Sequence, residues 1–141
     1  MLGSTFTRIS FALLLLMLLN GCGAAATPGL AGTQWKLTAF AKAGVTQPSV
    51  PGNEPTLSFG ADGSISGTAG CNTFGGSYTA KGQQLSIKDM LQTLMACADP
   101  AVMAQEQQYS AALGSAQSFT LENTRLTVTT AEGVLVFAQV N

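Results

Sequence analysis

Between Thr33 and Val140 the apolar residues recur mostly at every second position, and this period of two is the strongest constraint on the fold because it indicates β-strands. In the segment 33–40, for example, Trp35 and Leu37 alternate with polar residues. Short turn-forming segments such as Gly60–Gly63 separate the strands and predict antiparallel hairpins. The predicted strands are Thr33–Phe40, Thr56–Phe59, Ser64–Thr68, Gly75–Thr79, Leu85–Lys88, Ser118–Glu122, Leu126–Thr130 and Val134–Val140.

Two segments depart from this alternation. Residues 41–55 contain three prolines and two glycines and are predicted to be a loop. Asp99-Pro100 is typical of a helix start, and Gly114 is placed to end the helix in the left-handed conformation, which gives a helix of about 14 residues. Four residues between them have helical spacing: Val102, Glu106, Tyr109 and Leu113. The sequence thus predicts an α+β fold, a small, strongly curved antiparallel sheet (a half-barrel) with one helix packed on its open side.

The N-terminus carries an export signal. The eleven-residue apolar run Ile9–Leu19 is shorter than the about 20 residues of a spanning helix and suits a signal-peptide core. It ends in Leu19-Asn20-Gly21-Cys22, which resembles the lipobox of bacterial lipoproteins and implies acylation of Cys22 and cleavage before it. We therefore predict a lipoprotein signal peptide at 1–21, a lipidated N-terminus and tether at 22–30, and a folded domain at 31–141. An ordinary secretory peptide with an incidental Cys22, or an uncleaved anchor, are the alternatives.

Lipidation predicts where the protein is located and that it is attached to a membrane. The protein is expected in the bacterial cell envelope, held to a membrane by the lipid on Cys22. Gly23 follows the cysteine where aspartate would favour retention in the inner membrane, so we expect the outer membrane, with the domain facing the periplasm.

The composition excludes several function classes. Six Lys and Arg residues against seven Asp and Glu residues provide no basic surface for nucleic acid. The chain contains no histidine, the commonest general base and metal ligand, and no serine can therefore form a Ser-His pair. No paired acids or phosphate-binding loop are evident. We therefore expect no enzymatic activity and no cofactor.

The three cysteines can each be given a role. Lipidation uses Cys22, and the remaining pair, Cys71 and Cys97, is predicted to form a disulfide in an oxidising compartment. The alternative is a soft-metal site for Cu(I), in which these two cysteines are joined by one of three methionines: Met90, Met95 or Met103.

The glycine-flanked segment Gly70–Tyr78 predicts a tight bend or bulge, and we take three of its residues as a candidate interaction bend: Asn72, Thr73 and Tyr78. The alternative is that the Asn72 side chain only satisfies backbone groups of the bend. Glu106 is an unusual charge on the apolar side of the predicted helix, where a backbone or Lys/Arg partner is expected.

Two motifs in order, Gly70-Cys-Asn-Thr-Phe-Gly-Gly-Ser-Tyr78 and Thr93-Leu-Met-Ala-Cys97, together with Trp35 and Glu106, resemble the META domain (HslJ-like) family over nearly all of 30–139. The resemblance implies a small antiparallel sheet or half-barrel with a packed helix, and no defined activity. Family members are linked to envelope stress, antibiotic tolerance, secretion and motility.

The resulting expectation is a monomeric, non-enzymatic envelope lipoprotein that acts in envelope stress or antibiotic tolerance by contacting an envelope protein or another envelope component. Two alternatives stay open. One is a carrier of a small hydrophobic ligand or lipid in a cavity between sheet and helix, and the other is a Cys/Met metal or redox module.

Overall fold

The structure, a computed structural model, describes residues 29–141, so the predictions for the signal peptide 1–21, for Cys22 and for most of the tether lie outside the described residues. Within 29–141, none of the helices is both long and apolar enough to span a membrane. The elements are β1 (Thr33–Lys42), β2 (Val45–Pro48), β3 (Thr56–Phe59), β4 (Ser64–Thr68), β5 (Thr73–Lys81), β6 (Gln84–Gln92), α1 (Pro100–Gly114), β7 (Ala116–Glu122), β8 (Arg125–Thr130) and β9 (Val134–Gln139).

The sheet closes into an antiparallel barrel of eight strands, so the predicted half-barrel is wrong in its openness and right in its curvature and in its single helix. The closing contact is made by β1, whose first half pairs with β3 while its other edge pairs with β9 from Trp35 to Ala41. β6 and β7 are paired through a single residue pair, Gln84 and Ser118, so this is the shortest strand pairing of the barrel. Closure removes strand edges that an open sheet would expose.

The predicted loop 41–55 contains a strand, which corrects the sequence interpretation. β2 pairs with the second half of β1 through Lys42↔Val45 and Phe40↔Gln47. A two-residue turn with positive φ at Ala43 and Gly44 connects them, as the twist of a tight hairpin requires. Because β2 is an exposed edge strand, a proline at its end is tolerated there.

Helix α1 begins as predicted. The Asp99 side chain accepts a hydrogen bond from the backbone N–H of Ala101 at 2.8 Å, and Pro100 occupies the first turn. Its end differs from the prediction, because Gly114 remains helical and Ser115 caps the helix by donating its N–H and hydroxyl to the carbonyl of Ala112. The helix buries the four predicted residues and Ala112.

The barrel interior is filled by side chains, as expected for eight strands. Trp35 is 1% exposed and donates from Nε1 to Thr33 Oγ1 at 2.7 Å. Tyr109 of α1 packs against Phe74 and Phe137 and donates its hydroxyl to the Thr56 carbonyl, and burial raises the pKa of that hydroxyl. The remaining buried apolar residues form one continuous core with these aromatic rings.

The two ends of the barrel differ. Helix α1 covers one end. There the Gln105 side chain hydrogen-bonds to the β2–β3 loop, and the Ser115 carbonyl accepts a hydrogen bond from the N–H of Ala131 in the β8–β9 turn. The first and last residues of the barrel lie at the other end. There the Gly32 N–H donates to the carbonyl of Phe59, and the Val140 N–H donates to the carbonyl of Gln34. We call these the helix end and the entry end.

Candidate functional site

The bend between β4 and β5 and the segment that follows β6 are joined at the helix end. The predicted disulfide is present: Cys71 and Cys97 are covalently linked, with their Cα atoms 6.0 Å apart. Both cysteines are half-buried. The disulfide holds the Thr93–Cys97 segment beside the bend just before α1 begins.

A buried hydrogen-bond network, which we call the Asn72 network, reinforces this junction. The Asn72 side chain is 2% exposed and donates to Glu106 Oε1 at 2.6 Å and to the Met95 carbonyl at 3.1 Å. Its Oδ1 accepts from Thr93 Oγ1 at 2.8 Å and from the Met95 N–H at 2.7 Å. One side chain thus connects the bend, the segment after β6 and the helix.

Glu106 explains how a charge is tolerated on the inner side of the helix. Its Oε2 accepts from the N–H groups of Asn72 at 2.7 Å and Cys71 at 3.3 Å, while Oε1 accepts from the Asn72 amide. The carboxylate is 7% exposed, and three N–H donors replace the water that it loses on burial. Its partner is therefore the bend rather than a lysine or arginine.

The same residues could form a metal site only after reduction of the disulfide. The two cysteine sulfurs and a Glu106 oxygen lie within 4.8 Å of one another. However, the sulfurs are bonded to each other and the carboxylate already accepts three hydrogen bonds. Met103 Sδ accepts from the Cys97 N–H at 3.4 Å, so this thioether also has a structural contact. In the oxidised protein these groups hold the backbone.

Glycines on both sides of the bend allow its backbone to lie close to neighbouring residues, as the sequence predicts. Gly70 has φ +123°, and a side chain there would meet the Asn53 carbonyl and Val102. At Gly76 a Cβ would lie 2.9 Å from the Lys88 carbonyl, beside a bulge between β5 and β6. These positions therefore serve the fold.

The three residues of the candidate interaction bend do not form one surface. Asn72 is buried and serves the backbone, which is the alternative that its sequence context left open. Thr73 is exposed. Tyr78 packs edge-on against Phe59, with ring centroids 4.9 Å apart, and donates its hydroxyl to the Gly60 carbonyl at 3.0 Å. Asn72 thus has a structural role in holding the bend and the segment after β6, and it is not part of an exposed binding surface.

Three exposed apolar side chains project near this support, and we call them the apolar tip. Leu91 is 80% exposed, Leu94 93% and Met95 59%. The sequence gives no sign of this exposure, because Leu91 continues the alternation of the buried residues Leu85 and Ile87, and the irregularity between β5 and β6 turns it outward. In the described residues, only two other large apolar side chains, Val45 and Val140, are comparably exposed.

A groove lies on the opposite side of α1, between the helix and the β1–β2 hairpin, and we call it the hairpin groove. It consists of two adjoining cavities of about 250 and 310 Å³ that share Phe40, Gln47 and Gln108. The helix contributes small exposed residues to this groove, among them Ala104 and Ala111. Both cavities are partly enclosed and partly open to solvent.

Comparisons with known proteins place the chain in a family. Residues 28–141 match the model of the META domain. An NMR structure of a protein from Burkholderia xenovorans is 27% identical, with a TM-score of 0.66 and coverage of 83% of this chain and 88% of that chain. A second NMR structure is 29% identical, with a TM-score of 0.60 and coverage of 75% and 87%.

The fold extends to a more distant structure. The crystal structure of a DUF4847 family protein from Bacteroides vulgatus is similar in fold at 17% identity, with a TM-score of 0.57 and coverage of 77% of this chain and 93% of that chain. Among curated proteins, the search found no match. The family model spans the whole described domain and contains both motifs of the bend, so the chain belongs to the META domain family.

Proposed function

We propose that this META domain protein is a non-enzymatic lipoprotein of the bacterial envelope, anchored through Cys22, that acts by binding another envelope protein through the apolar tip. The role in envelope stress or antibiotic tolerance expected from the family resemblance is part of this proposal, as is an outer-membrane location facing the periplasm.

The observation that carries the proposal is the combination of exposure and rigidity at the apolar tip. Leu94 is 93% exposed, yet the backbone of its neighbour Met95 is held by two hydrogen bonds to Asn72 and the segment ends at the disulfide. Leu94 and Met95 line one cavity beside Asn72, and adjacent exposed apolar side chains commonly mark a binding surface. A surface already held in place loses less conformational entropy on binding.

The position of the apolar tip fits a lipid anchor. The chain enters the barrel at the entry end, whereas the apolar tip lies at the helix end. An anchor on Cys22 would join the domain at the entry end, so the covalent attachment itself does not bring Leu94 to the membrane. This arrangement favours a protein partner over the anchoring membrane.

The chemistry of the buried groups supports a contact function rather than catalysis. Glu106 is the buried carboxylate of the described domain, and hydrogen bonds to the bend occupy both of its oxygens. A general base needs an oxygen that can reach a substrate proton. The charged residues Asp62 and Glu132 are exposed and bonded to Ser64 and Lys42, which lower the pKa of each carboxyl.

Site-specific photocrosslinking in intact cells tests this proposal. Replacing Leu94 with p-benzoylphenylalanine should yield a discrete crosslinked protein, and the same replacement at Ala80, which is exposed toward the entry end, should not. The double variant Leu91→Ser, Met95→Ser should reduce the crosslinked product about tenfold, because truncating central contacts costs more than 1 kcal/mol. Equal crosslinking at both positions, or turnover of any substrate that Glu106→Gln abolishes, would contradict the proposal.

The lipid anchor needs a separate test. Cys22→Ser should release the protein from membranes or leave it unprocessed, whereas wild type should carry acyl chains on residue 22 by mass spectrometry. An unmodified mature chain that begins at another residue would overturn the anchor and leave the binding proposal to the crosslinking result.

A further inference from the structure

Three metal-ligating groups meet where the bend contacts α1. The sulfurs of Cys71 and Cys97 and an oxygen of Glu106 lie within 4.8 Å of one another. In a tetrahedral zinc site the Zn–S bonds are about 2.3 Å and the Zn–O bonds about 2.0–2.2 Å, so the ligand atoms lie about 3.6–3.8 Å apart. Cleavage of the disulfide bond therefore leaves three donors close to the spacing that one zinc ion requires. The copper site considered from the sequence takes a methionine as its third donor, whereas the structure places a carboxylate there.

Hydrogen bonds keep the two cysteines beside each other when the disulfide is reduced. The Asn72 side chain accepts from the Met95 N–H at 2.7 Å and donates to the Met95 carbonyl at 3.1 Å. The Thr73 N–H donates to Thr93 Oγ1 at 3.1 Å, and the Thr93 N–H donates to the Thr73 carbonyl at 3.0 Å. None of these four bonds involves a sulfur atom. Reduction thus frees two thiols without separating the segments that carry them.

The Glu106 carboxylate retains a position for a metal. Its Oε2 accepts from the backbone N–H groups of Asn72 and Cys71, whereas Oε1 accepts one hydrogen bond, from the Asn72 amide at 2.6 Å. An ionised carboxylate has about four lone-pair sites, so one site on Oε1 remains. The three N–H donors orient the carboxylate, as the outer hydrogen bonds of a metal ligand typically do.

A cavity beside the junction gives an ion access to these donors. It measures about 460 Å³, is partly open to solvent, and has Asn72, Met103 and Glu106 in its lining. Both cysteines are half-buried. The cavity therefore provides an entry path, and water within it supplies the fourth ligand of a tetrahedral site.

The donor set favours zinc over other common metals. Two thiolates and a carboxylate are all anionic, and among residues 29–141 no lysine or arginine forms an ion pair with Glu106. A divalent cation compensates this charge. Zinc binds both thiolate and carboxylate, whereas Cu(I) prefers sulfur donors and Mg²⁺ and Ca²⁺ prefer oxygen donors.

We propose that the reduced domain binds one zinc ion through Cys71, Cys97 and Glu106. A dithiol reductant first attacks one cysteine sulfur, which releases the other cysteine and leaves a mixed disulfide, and the second thiol of the reductant then displaces the remaining cysteine. Two electrons and two protons pass to the cysteines, and the reductant leaves as its disulfide. Zinc binding replaces the two thiol protons, which go to solvent. The proposal is independent of binding through the apolar tip, and it gives the helix end a metal-bound state in place of the disulfide.

Metal titration of the full chain in detergent tests the proposal. The chain is reduced with dithiothreitol, separated from the reductant without oxygen, and titrated with zinc chloride in competition with a chromophoric chelator. We expect one zinc ion per reduced chain with a Kd below about 1 μM, and no binding by the disulfide form. X-ray absorption at the zinc edge should give two sulfur ligands at about 2.3 Å and oxygen ligands in the remaining positions.

Three variants assign the donors. Cys97→Ser should weaken zinc binding at least about a hundredfold and Glu106→Gln at least about tenfold, because each removes an anionic ligand. Met103→Leu is the matched control, because it removes a thioether from the same cavity at nearly unchanged volume and should leave the zinc affinity unchanged. Circular dichroism should show the β-sheet signal of the folded domain in the reduced wild type and in each variant.

Several results would overturn the proposal. They are the absence of zinc binding by the reduced chain, loss of the folded signal on reduction, and a zinc affinity that Cys97→Ser or Glu106→Gln leaves unchanged. If Glu106→Gln does not fold, the wild-type absorption spectrum decides, because coordination by sulfur alone would overturn the role of the carboxylate. Preference for Cu(I) over zinc, lost in Met103→Leu, would assign the site to copper and contradict the proposal as well.

Discussion

Removal of the Asn72 side chain should loosen the helix end without unfolding the barrel. Asn72→Ala deletes two hydrogen bonds accepted by Oδ1, from Thr93 and from the Met95 N–H. It also deletes those donated by Nδ2 to the Met95 carbonyl and the Glu106 carboxylate, together with a long contact of 4.0 Å to Cys97 Sγ. A neutral hydrogen bond contributes about 1 kcal/mol and one to a charged group about 1.5–3 kcal/mol, and bonds that share one side chain are not additive. The carboxylate retains its two backbone donors.

We therefore expect the free energy of unfolding of Asn72→Ala to fall by about 3 kcal/mol, a large fraction of the 5–15 kcal/mol typical of a domain. For a domain of this size that change lowers the melting temperature by about 10 °C. Circular dichroism with heat and guanidinium gives both values. Hydrogen exchange gives the local effect, because the Met95 amide loses its acceptor and should exchange much faster than in wild type.

Thr73→Ala is the matched control, because this neighbour is exposed and its side chain should contribute less than about 0.5 kcal/mol. Two results together would refute the reasoning. They are an unfolding free energy of Asn72→Ala within about 0.5 kcal/mol of wild type and an unchanged protection of the Met95 amide. A loss of stability without faster exchange at Met95 would place the energy in the bend and not in the segment after β6.

Three further outcomes are expected. Glu106→Gln should lower the free energy of unfolding by about 1–3 kcal/mol, because its amide turns a donor toward N–H groups that need an acceptor, and chemical denaturation measures this. Breaking the disulfide with Cys71→Ala and Cys97→Ala should cost about 3.5 kcal/mol for a separation of 26 residues, whereas an unchanged melting temperature would contradict its stabilising role. The hydrogen bond and charge of Lys42 lower the pKa of Glu132, so the pair stabilises the fold above the ordinary carboxyl pKa and this contribution is lost as the pH falls through the lowered value. In Lys42→Ala, NMR titration should show the pKa of Glu132 moving back up toward 4.5.

Local features of the fold were predictable because each depends on neighbouring residues. The alternation places every predicted strand, and Asp99-Pro100 places the start of α1. The sequence does not predict strand β2, because its segment is rich in proline and glycine, which are normally loop residues. The two-residue spacing at Ala43 and Gly44 is the local feature of this segment that is compatible with a tight hairpin.

Barrel closure was not predictable in the same way. The pairing of β1 with β9 joins residues nearly one hundred positions apart, and the register Leu37↔Phe137 has no local signature. Closure also needs Gly133, where a Cβ would lie 2.3 Å from the Ala41 carbonyl. A turn glycine in the sequence does not reveal which distant backbone it must avoid.

The site shows the same division between local and long-range information. The sequence marks Glu106 as a charge at an apolar helical position, and the number of cysteines pairs Cys71 with Cys97. Neither observation connects these residues to Asn72. The connection depends on the tertiary contact of α1 with the bend, where two residues separated by 34 positions form a 2.6 Å hydrogen bond. Sequence spacing therefore identified the components of the Asn72 network and not their arrangement.

The arrangement of α1 links the stability of the domain to its proposed contacts. Glu106 is the single charged residue of the helix, and it is turned inward, so that the outer side presents alanines and glutamines to solvent. A soluble helix normally carries charges on its exposed side. Burying the one acid in the Asn72 network fixes the apolar tip on one side of α1, and leaving the outer side uncharged keeps the hairpin groove neutral on the other. The same residue choice thus stabilises the helix end and leaves the outer side of α1 without charge.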